Sequence, residues 1–279
     1  MLWKDQGRSS NIEDRRGLGG RAGMGIGGAA VLLVLSLLFG RNFFDEVPAD
    51  AGSVSQSANG RLAPADSARE EPEVRFISFV LDDAQKTWAT TLPKYGANYH
   101  DAGLVLFRRA TRTACGTGQT GMGPFYCPLD EKVYIDLEFY EELKTKFAAS
   151  GDFAQAYVIA HELGHHVQHI LGTDQQVQRA RQSGGAGANE MSVRLELQAD
   201  CYAGVWGHST EQRRLLEQGD VEEGLNAAAS VGDDRIQQRT TGSVHPEAFT
   251  HGSAAQRTTW FKRGLETGDP RSCDTFASR

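Results

Sequence analysis

The stretch AQAYVIAHELGHHVQHIL, residues 154–171, predicts one long helix. It is largely apolar and contains no glycine or proline except Gly164. Asp152, followed by Gln155 three residues later, is suited to begin this helix, and Gly172 stands where helices commonly end. The pattern is typical of a helix that is buried on most of its sides.

Two histidines in this stretch have the spacing of ligands for one metal ion. His161 and His165 are four residues apart, so a helix places both imidazoles on the same face. Glu162, next to the first histidine, projects toward the open side of the metal, where it can take a proton from a zinc-bound water. The spacing H-E-x-x-H therefore indicates a catalytic zinc site rather than an ordinary buried helix.

A second predicted helix, Asn189 to His208, offers the missing third ligand. Glu196 and Asp200 are four residues apart and share one face of it. Glu196 can ligate the metal, while Asp200 can accept a hydrogen bond from the far ring nitrogen of a ligand histidine. The alternative is a pair of solvated carboxylates. The apolar residues around them disfavour it, because a buried carboxylate pair without a cation is costly.

The other histidines carry weaker signals. The metzincin class is excluded, since Gln168 and Leu171 occupy the positions of its glycine and third histidine. His169 lies one turn beyond His165, too far along a straight helix to share its ion, and is interpreted as a residue that supports the ligands or lies on the surface, with a role at the mouth of the site as the alternative. His166 points away from the ligand face and is interpreted as a packing or surface residue. His100 and His208 carry no signal.

Three segments of the chain together resemble the bacterial family of predicted neutral zinc metallopeptidases with one N-terminal membrane anchor. They read HELGHHVQ, RLELQADCYAGVW and FTHGSAAQRTTWF, and the opening MLWK and the stretch GPFYCPLDEKVYID are also similar to that family. The resemblance implies zinc ligands at His161, His165 and Glu196, with Glu162 as general base. It covers nearly the whole chain.

A donor for the oxyanion is expected at His251, just before a helix that begins with Ser253 and Gln256 in capping-box spacing. His251 resembles the histidine that follows the third ligand in other membrane-associated gluzincins. The alternative is that it caps or packs against that helix. His245 is a weaker candidate, and nothing in the sequence selects Arg257 or Tyr202 for this role.

Charge and hydropathy suggest where the protein is located. The net charge of -7 over 279 residues argues against nucleic acid as a partner. Residues 22–40 form an uncharged run just long enough to span a bilayer, for which a cleaved signal peptide is the alternative. More basic residues precede the run than follow it. We therefore expect a single-pass protein of the bacterial cytoplasmic (inner) membrane, with its N-terminus inside and its catalytic domain periplasmic or extracellular.

The four cysteines, all beyond this run, are expected to form disulfides in an exported domain. Of the three pairings, Cys115–Cys127 with Cys201–Cys273 is our prediction. A metal bound by cysteines is the alternative, and the lack of any C-x-x-C spacing disfavours it.

We expect a cytoplasmic segment at 1–21, a transmembrane anchor at 22–40, a flexible linker at 41–70 and a zinc metallopeptidase domain at 71–279. The predicted fold class is α+β, a helix-dominated zincin-like catalytic domain with a small sheet, preceded by one N-terminal transmembrane helix. Helices are predicted at 71–90 and 138–149 and strands at 103–107 and 132–137. The second strand is either a substrate-binding edge or an ordinary core strand.

The predicted function is a zinc-dependent peptidase that acts outside the cytoplasmic membrane on a protein or peptide substrate, with Zn²⁺ as its cofactor. The alternatives are a membrane-tethered zinc-binding scaffold, an inactive peptidase homologue, or a zinc hydrolase acting on a non-peptide bond.

Overall fold

The computed structural model describes residues 1–17, 64–145, 149–182 and 187–277. These residues form a helix-dominated α+β domain with a small sheet. Its helices are α1 (Pro64–Thr91), α2 (Glu138–Thr145), α3 (Asp152–Leu171), α4 (Thr173–Gln182), α5 (Ala188–Gln212), α6 (Asp220–Ser230), α7 (Asp233–Thr240) and α8 (Ala254–Thr267). Its strands are β1 (Ile12–Asp14), β2 (Gly103–Phe107), β3 (Ala110–Thr113), β4 (Gly116–Gln119), β5 (Phe125–Cys127) and β6 (Lys132–Asp136).

Helix α3 is the predicted buried helix and the centre of the core, packing against α1, α5 and α6. It ends as expected at Gly172, whose φ of 77° is left-handed and whose N–H donates to the carbonyls of Gln168 and His169. Its N-cap is Gly151 rather than Asp152, so that part of the prediction is wrong by one residue. Phe153 in its first turn stacks on Trp206 of α5 with ring centroids 5.7 Å apart.

The main sheet has the strand order β1-β2-β6-β5. Strands β1, β2 and β6 run parallel, and β5 is antiparallel to β6. The predicted strand at 103–107 is confirmed, and the strand predicted at 132–137 ends one residue earlier, at Asp136. Because β6 pairs on both sides, its interpretation as a substrate-binding edge is wrong and the core-strand alternative holds. The two edge strands of this sheet are β1 and β5.

Helix α5 is longer than predicted, since it runs from Ala188 to Gln212 and extends beyond the expected end at His208. The capping box at Ser253 and Gln256 is confirmed at the start of α8. Helices α5 and α8 cross very closely, because a Cβ added to Gly264 would lie 1.9 Å from the carbonyl oxygen of Cys201. Only glycine allows this approach.

Residues 1–17 pack against the rest of the domain. Strand β1 pairs with β2, Arg16 contacts Glu70 at 2.7 Å, and Arg8 forms an ion pair with Glu71. These contacts differ from the expected organisation, in which 1–21 stands apart from a domain that starts at 71. The same pairs contact α1 at Glu70 and Glu71, and that helix begins at Pro64, seven residues before the predicted start at 71.

The predicted membrane-spanning segment, 22–40, lies outside the described residues. Among the helices in the described ranges, none is both long enough and apolar enough to cross a bilayer. The predicted fold class is therefore corrected: its helix-dominated α+β part describes the domain, whereas an N-terminal transmembrane helix is not among the elements of the described residues.

Both predicted disulfides are present. Cys115–Cys127 joins the turn between β3 and β4 to strand β5. Cys201–Cys273 joins α5 to the turn after α8. The second bridge closes a loop with a sequence separation of 72 residues, so it restricts the unfolded chain strongly.

Glu73 in α1 gives the domain a pH-dependent stability. Burial, together with the nearby carboxylates of Glu70 and Glu141, raises the pKa of Glu73 to about 7. The folded state therefore favours the protonated form, and the stabilisation present below the unfolded pKa is lost as the pH rises through about 7. We expect Glu73→Gln to raise the free energy of unfolding by roughly 1–2 kcal/mol at pH 8 and to change it little at pH 4.5.

Urea unfolding of the zinc-loaded full chain at both pH values measures this difference. Glu211→Gln, a substitution of an exposed glutamate in α5, is the control. Equal stability of Glu73→Gln and wild type at pH 8 would contradict the assignment.

Candidate metal centre

The two histidines of the motif and the carboxylate of the second helix meet at one point. His161 and His165 on α3 and Glu196 on α5 each offer a ligand atom, and these atoms lie within 4.8 Å of one another. His161 Nε2 lies 3.2 Å from Glu196 Oε2, and His165 Nε2 lies 3.6 Å from Glu196 Oε1. In a tetrahedral zinc site with bonds of about 2.0–2.1 Å, ligand atoms are about 3.4 Å apart, so the donor set fits zinc.

Each imidazole is held with its Nε2 lone pair toward this point. His161 Nδ1 donates to Asp200 Oδ1 at 2.9 Å, and His165 Nδ1 donates to Gln168 Oε1 at 2.8 Å. The amide of Gln168 cannot be reversed, because its nitrogen donates to the carbonyl of Leu195 at 2.7 Å. Contacts of this kind fix the tautomer of a ligand histidine and orient its ring.

Close packing of α3 on α5 allows side chains of both helices to reach a single metal ion. Gly164 lies against Ala199, where an added Cβ would be 2.9 Å from the carbonyl oxygen and 3.1 Å from the Cα. Any larger side chain at position 164 would push α5 away. The glycine inside the motif therefore has a structural role between the two helices.

Asp200 is fully buried and is the hub of a charged network. Besides His161, it accepts hydrogen bonds from the hydroxyl of Tyr157 and, at 2.8 and 2.9 Å, from the guanidinium of Arg257 on α8. Burial raises the pKa of Asp200, but Arg257 and His161 outweigh burial and hold it below its ordinary value. Asp200 is therefore ionised and can stabilise the N–H of His161.

Glu162 lies beside the ligands and is 6 % exposed. Burial raises the pKa of its carboxyl above the ordinary value, which makes it a better proton acceptor. It lines a cleft of about 580 Å³ together with the ligands. The other lining residues are largely apolar and include Met122, Pro124, Phe125, Tyr126, Phe139, Val158, Leu195, Val231 and Ile236.

His251 also lines this cleft, in the loop before α8, with its side chain 51 % exposed. Its Nδ1 lies 3.3 Å from Asp233 Oδ1 and 2.9 Å from the hydroxyl of Thr250. Burial lowers the pKa of His251, but the hydrogen bond with Asp233 and the charge of Glu196 outweigh it and raise the pKa. His245, the weaker candidate, is exposed beside Glu247 and does not line the cleft.

Sequence reasoning did not identify Gln168, Tyr157 or Arg257 as parts of this centre. The signal for Gln168 is its position three residues after His165, on the same side of α3. Tyr157 lies four residues before His161 and therefore on the same side of α3 as that histidine. Arg257 is brought in by α8 from 57 residues beyond Asp200, and no local pattern indicates that contact.

A family model described as "Putative neutral zinc metallopeptidase" matches residues 1–276 of the chain. The "Uncharacterized protein YpfJ" of Escherichia coli K12 is 47 % identical over 286 residues, which cover 99 % of both chains. The "Uncharacterized protein Rv2575" of Mycobacterium tuberculosis is 48 % identical over 202 residues, covering 68 % of this chain and 66 % of its own. No solved structure matches the chain.

The network around Asp200 predicts a large cost for losing Arg257. Arg257→Met keeps much of the side-chain volume but leaves the Asp200 carboxylate buried without its guanidinium partner. We expect the free energy of unfolding to fall by about 3–5 kcal/mol, the usual cost of breaking a buried ion pair from one side.

Denaturant unfolding in the presence of a chelator measures this cost apart from zinc binding. The control is Arg263→Met on the same helix, where the arginine is exposed and the expected change is within about 0.5 kcal/mol. If the two variants unfold alike, Arg257 does not compensate the buried charge.

Proposed function

The chain belongs to the family described as "Putative neutral zinc metallopeptidase", and we propose that it is a zinc-dependent peptidase that hydrolyses peptide bonds in the cleft over α3. The observation that carries the proposal is the convergence of His161, His165 and Glu196 at one point, with the buried base Glu162 beside them. Three protein ligands leave a fourth position open, as in catalytic zinc sites, whereas structural sites are closed by four.

Different residues of the chain have different roles in the reaction. Zinc held by His161, His165 and Glu196 would lower the pKa of a water molecule toward neutrality and would polarise the scissile carbonyl. Glu162 accepts the proton of the attacking water and delivers it to the leaving amine. His251, whose pKa is raised, donates a hydrogen bond to the oxygen on which negative charge develops. Asp200 and Gln168 keep the two ligand imidazoles in their tautomers.

The position of strand β5 favours a peptide over another kind of substrate. It lies at the edge of the sheet, and two of its residues, Phe125 and Tyr126, line the cleft. An extended peptide can add to such an edge by main-chain hydrogen bonds, which hold it along the cleft irrespective of its side chains. The largely apolar lining favours apolar side chains near the scissile bond.

The decisive experiment compares the zinc-loaded full chain with Glu162→Gln. We expect both proteins to bind one zinc at this centre, and we expect the variant to lose at least about 100-fold in the cleavage of a peptide library, because it keeps the ligands but lacks the proton acceptor. Metal analysis and mass spectrometry of the products provide the two readouts. His161→Ala is expected to lose the metal together with the activity.

Glu211→Gln, at an exposed position far from the motif, should cleave like wild type. Zinc bound by wild type and Glu162→Gln with cleavage by neither would contradict the peptidase. It would favour the alternative of a zinc-binding scaffold or an inactive homologue.

We also infer that the domain works in an oxidising compartment, periplasmic or extracellular. The two disulfides support this inference, because such bridges persist outside the reducing cytoplasm. In intact cells, we expect the four cysteines to resist alkylation by a thiol reagent until a reductant is added. Alkylation of all four before reduction would contradict the inference.

A further inference from the structure

A second group of metal-ligand side chains lies about 100° around α3 from the first, on the face that His166 occupies. His100 in the loop before β2, Glu131 in the turn between β5 and β6, and His166 on α3 each offer a ligand atom, and these lie within 4.8 Å of one another. His100 Nε2 is 2.7 Å from Glu131 Oε2. We propose that this cluster is a second site, for a divalent transition metal such as zinc. It shares no ligand with the centre at His161.

Small side-chain movements would bring the ligand atoms of this cluster to the separations found in a metal site. Ligand atoms around tetrahedral zinc are about 3.4 Å apart, and all separations here are within 4.8 Å, so none has to close by more than about 1.4 Å. Two of the three side chains can move by this amount, since His100 is 56 % and Glu131 40 % exposed. His166 is fully buried and provides the rigid member. Two imidazoles with one carboxylate form a donor set that suits zinc and related metals.

The hydrogen bonds of His166 resemble those of a ligand histidine. Its Nε2 lies 2.7 Å from the carbonyl oxygen of His100, and since a carbonyl only accepts, Nε2 carries the ring proton. Nδ1 then keeps its lone pair, which accepts from the hydroxyl of Tyr126 at 2.8 Å. A backbone carbonyl that fixes one ring nitrogen commonly leaves the other for the metal. Metal binding replaces the Tyr126 hydroxyl at Nδ1.

His169 offers a fourth ligand at the rim of the cluster. Its Nε2 lies 3.8 Å from Glu131 Oε1, and its Nδ1 donates to Asp174 Oδ2 at 2.7 Å. The Asp174 carboxylate therefore keeps the lone pair of Nε2 directed at Glu131. This repeats the relation of Asp200 to His161 and Glu196 at the first centre.

The backbone at Glu131 gives independent support. Its φ of 53° lies in the left-handed region, which glycine or asparagine adopts at lower cost. The turn itself therefore does not favour a glutamate. Unfavourable backbone conformations that persist in a fold are often maintained for a functional side chain, and this side chain contacts His100 and His169.

The experiment is a zinc titration of the full chain, followed by calorimetry and by metal analysis at saturation. Wild type is expected to bind two zinc ions, and His100→Ala and Glu131→Gln are expected to weaken the second by at least about tenfold while retaining the first. Tyr126→Phe is expected to keep both ions and to bind the second more tightly, because it removes the hydroxyl that competes for Nδ1 of His166.

His245→Ala is the matched control. It removes a histidine of another exposed His–Glu pair, in which His245 Nδ1 lies 3.3 Å from Glu247 Oε1, and it should bind two ions. One zinc in the saturated wild type would overturn the proposal. A second zinc that His100→Ala and Glu131→Gln leave unchanged would also overturn it. Because stoichiometry is measured without substrate, this result is independent of the peptidase.

Discussion

The constraint on which the structure depends is the buried charge of Asp200. A carboxylate without solvent has to be compensated, and its partners come from α3 through Tyr157 and His161 and from α8 through Arg257. These contacts determine where the three helices cross. Glycines at the crossings, Gly164 and Gly264, allow the backbones to approach closely enough. The metal centre is a consequence of that packing, since the same crossing places Glu196 opposite the two ligand histidines.

The described N-terminal segment shows how far the fold extends beyond the motif-bearing helices. Strand β1 completes the parallel part of the sheet, and Arg8 and Arg16 neutralise carboxylates at the start of α1. Burial raises the pKa of Glu73 in the same region to about 7, so its carboxyl is only partly ionised at neutral pH. The first 17 residues thus belong to the same folded unit as the metal centre. Opposite charges carried by distant parts of the chain hold this unit together.

Local sequence patterns correctly predicted the features that depend on interactions between neighbouring residues. The i, i+4 spacing of His161 and His165, the end of α3 at Gly172 and the capping box at Ser253 depend on neighbours within one turn. Contacts between distant segments could not be predicted in this way. The pairing of β1 with β2, the interior position of β6 and the approach of Arg257 to Asp200 depend on tertiary packing, which the periodicity of a segment does not report. A run of apolar residues, similarly, predicted a membrane-spanning helix that the described structure does not contain.

The two clusters on α3 follow from helix geometry. Adjacent residues on a helix are about 100° apart, so His165 faces Glu196 while His166 faces Tyr126 and the loop of His100. The shared helix connects the proposed second site to the first, and Tyr126 connects it to the cleft, because its hydroxyl donates to His166 while the residue also lines the cleft. A metal that displaces this hydroxyl changes the edge strand along which a peptide would lie. By thermodynamic linkage, a peptide that holds Tyr126 in place would change the affinity of the second site by the same factor.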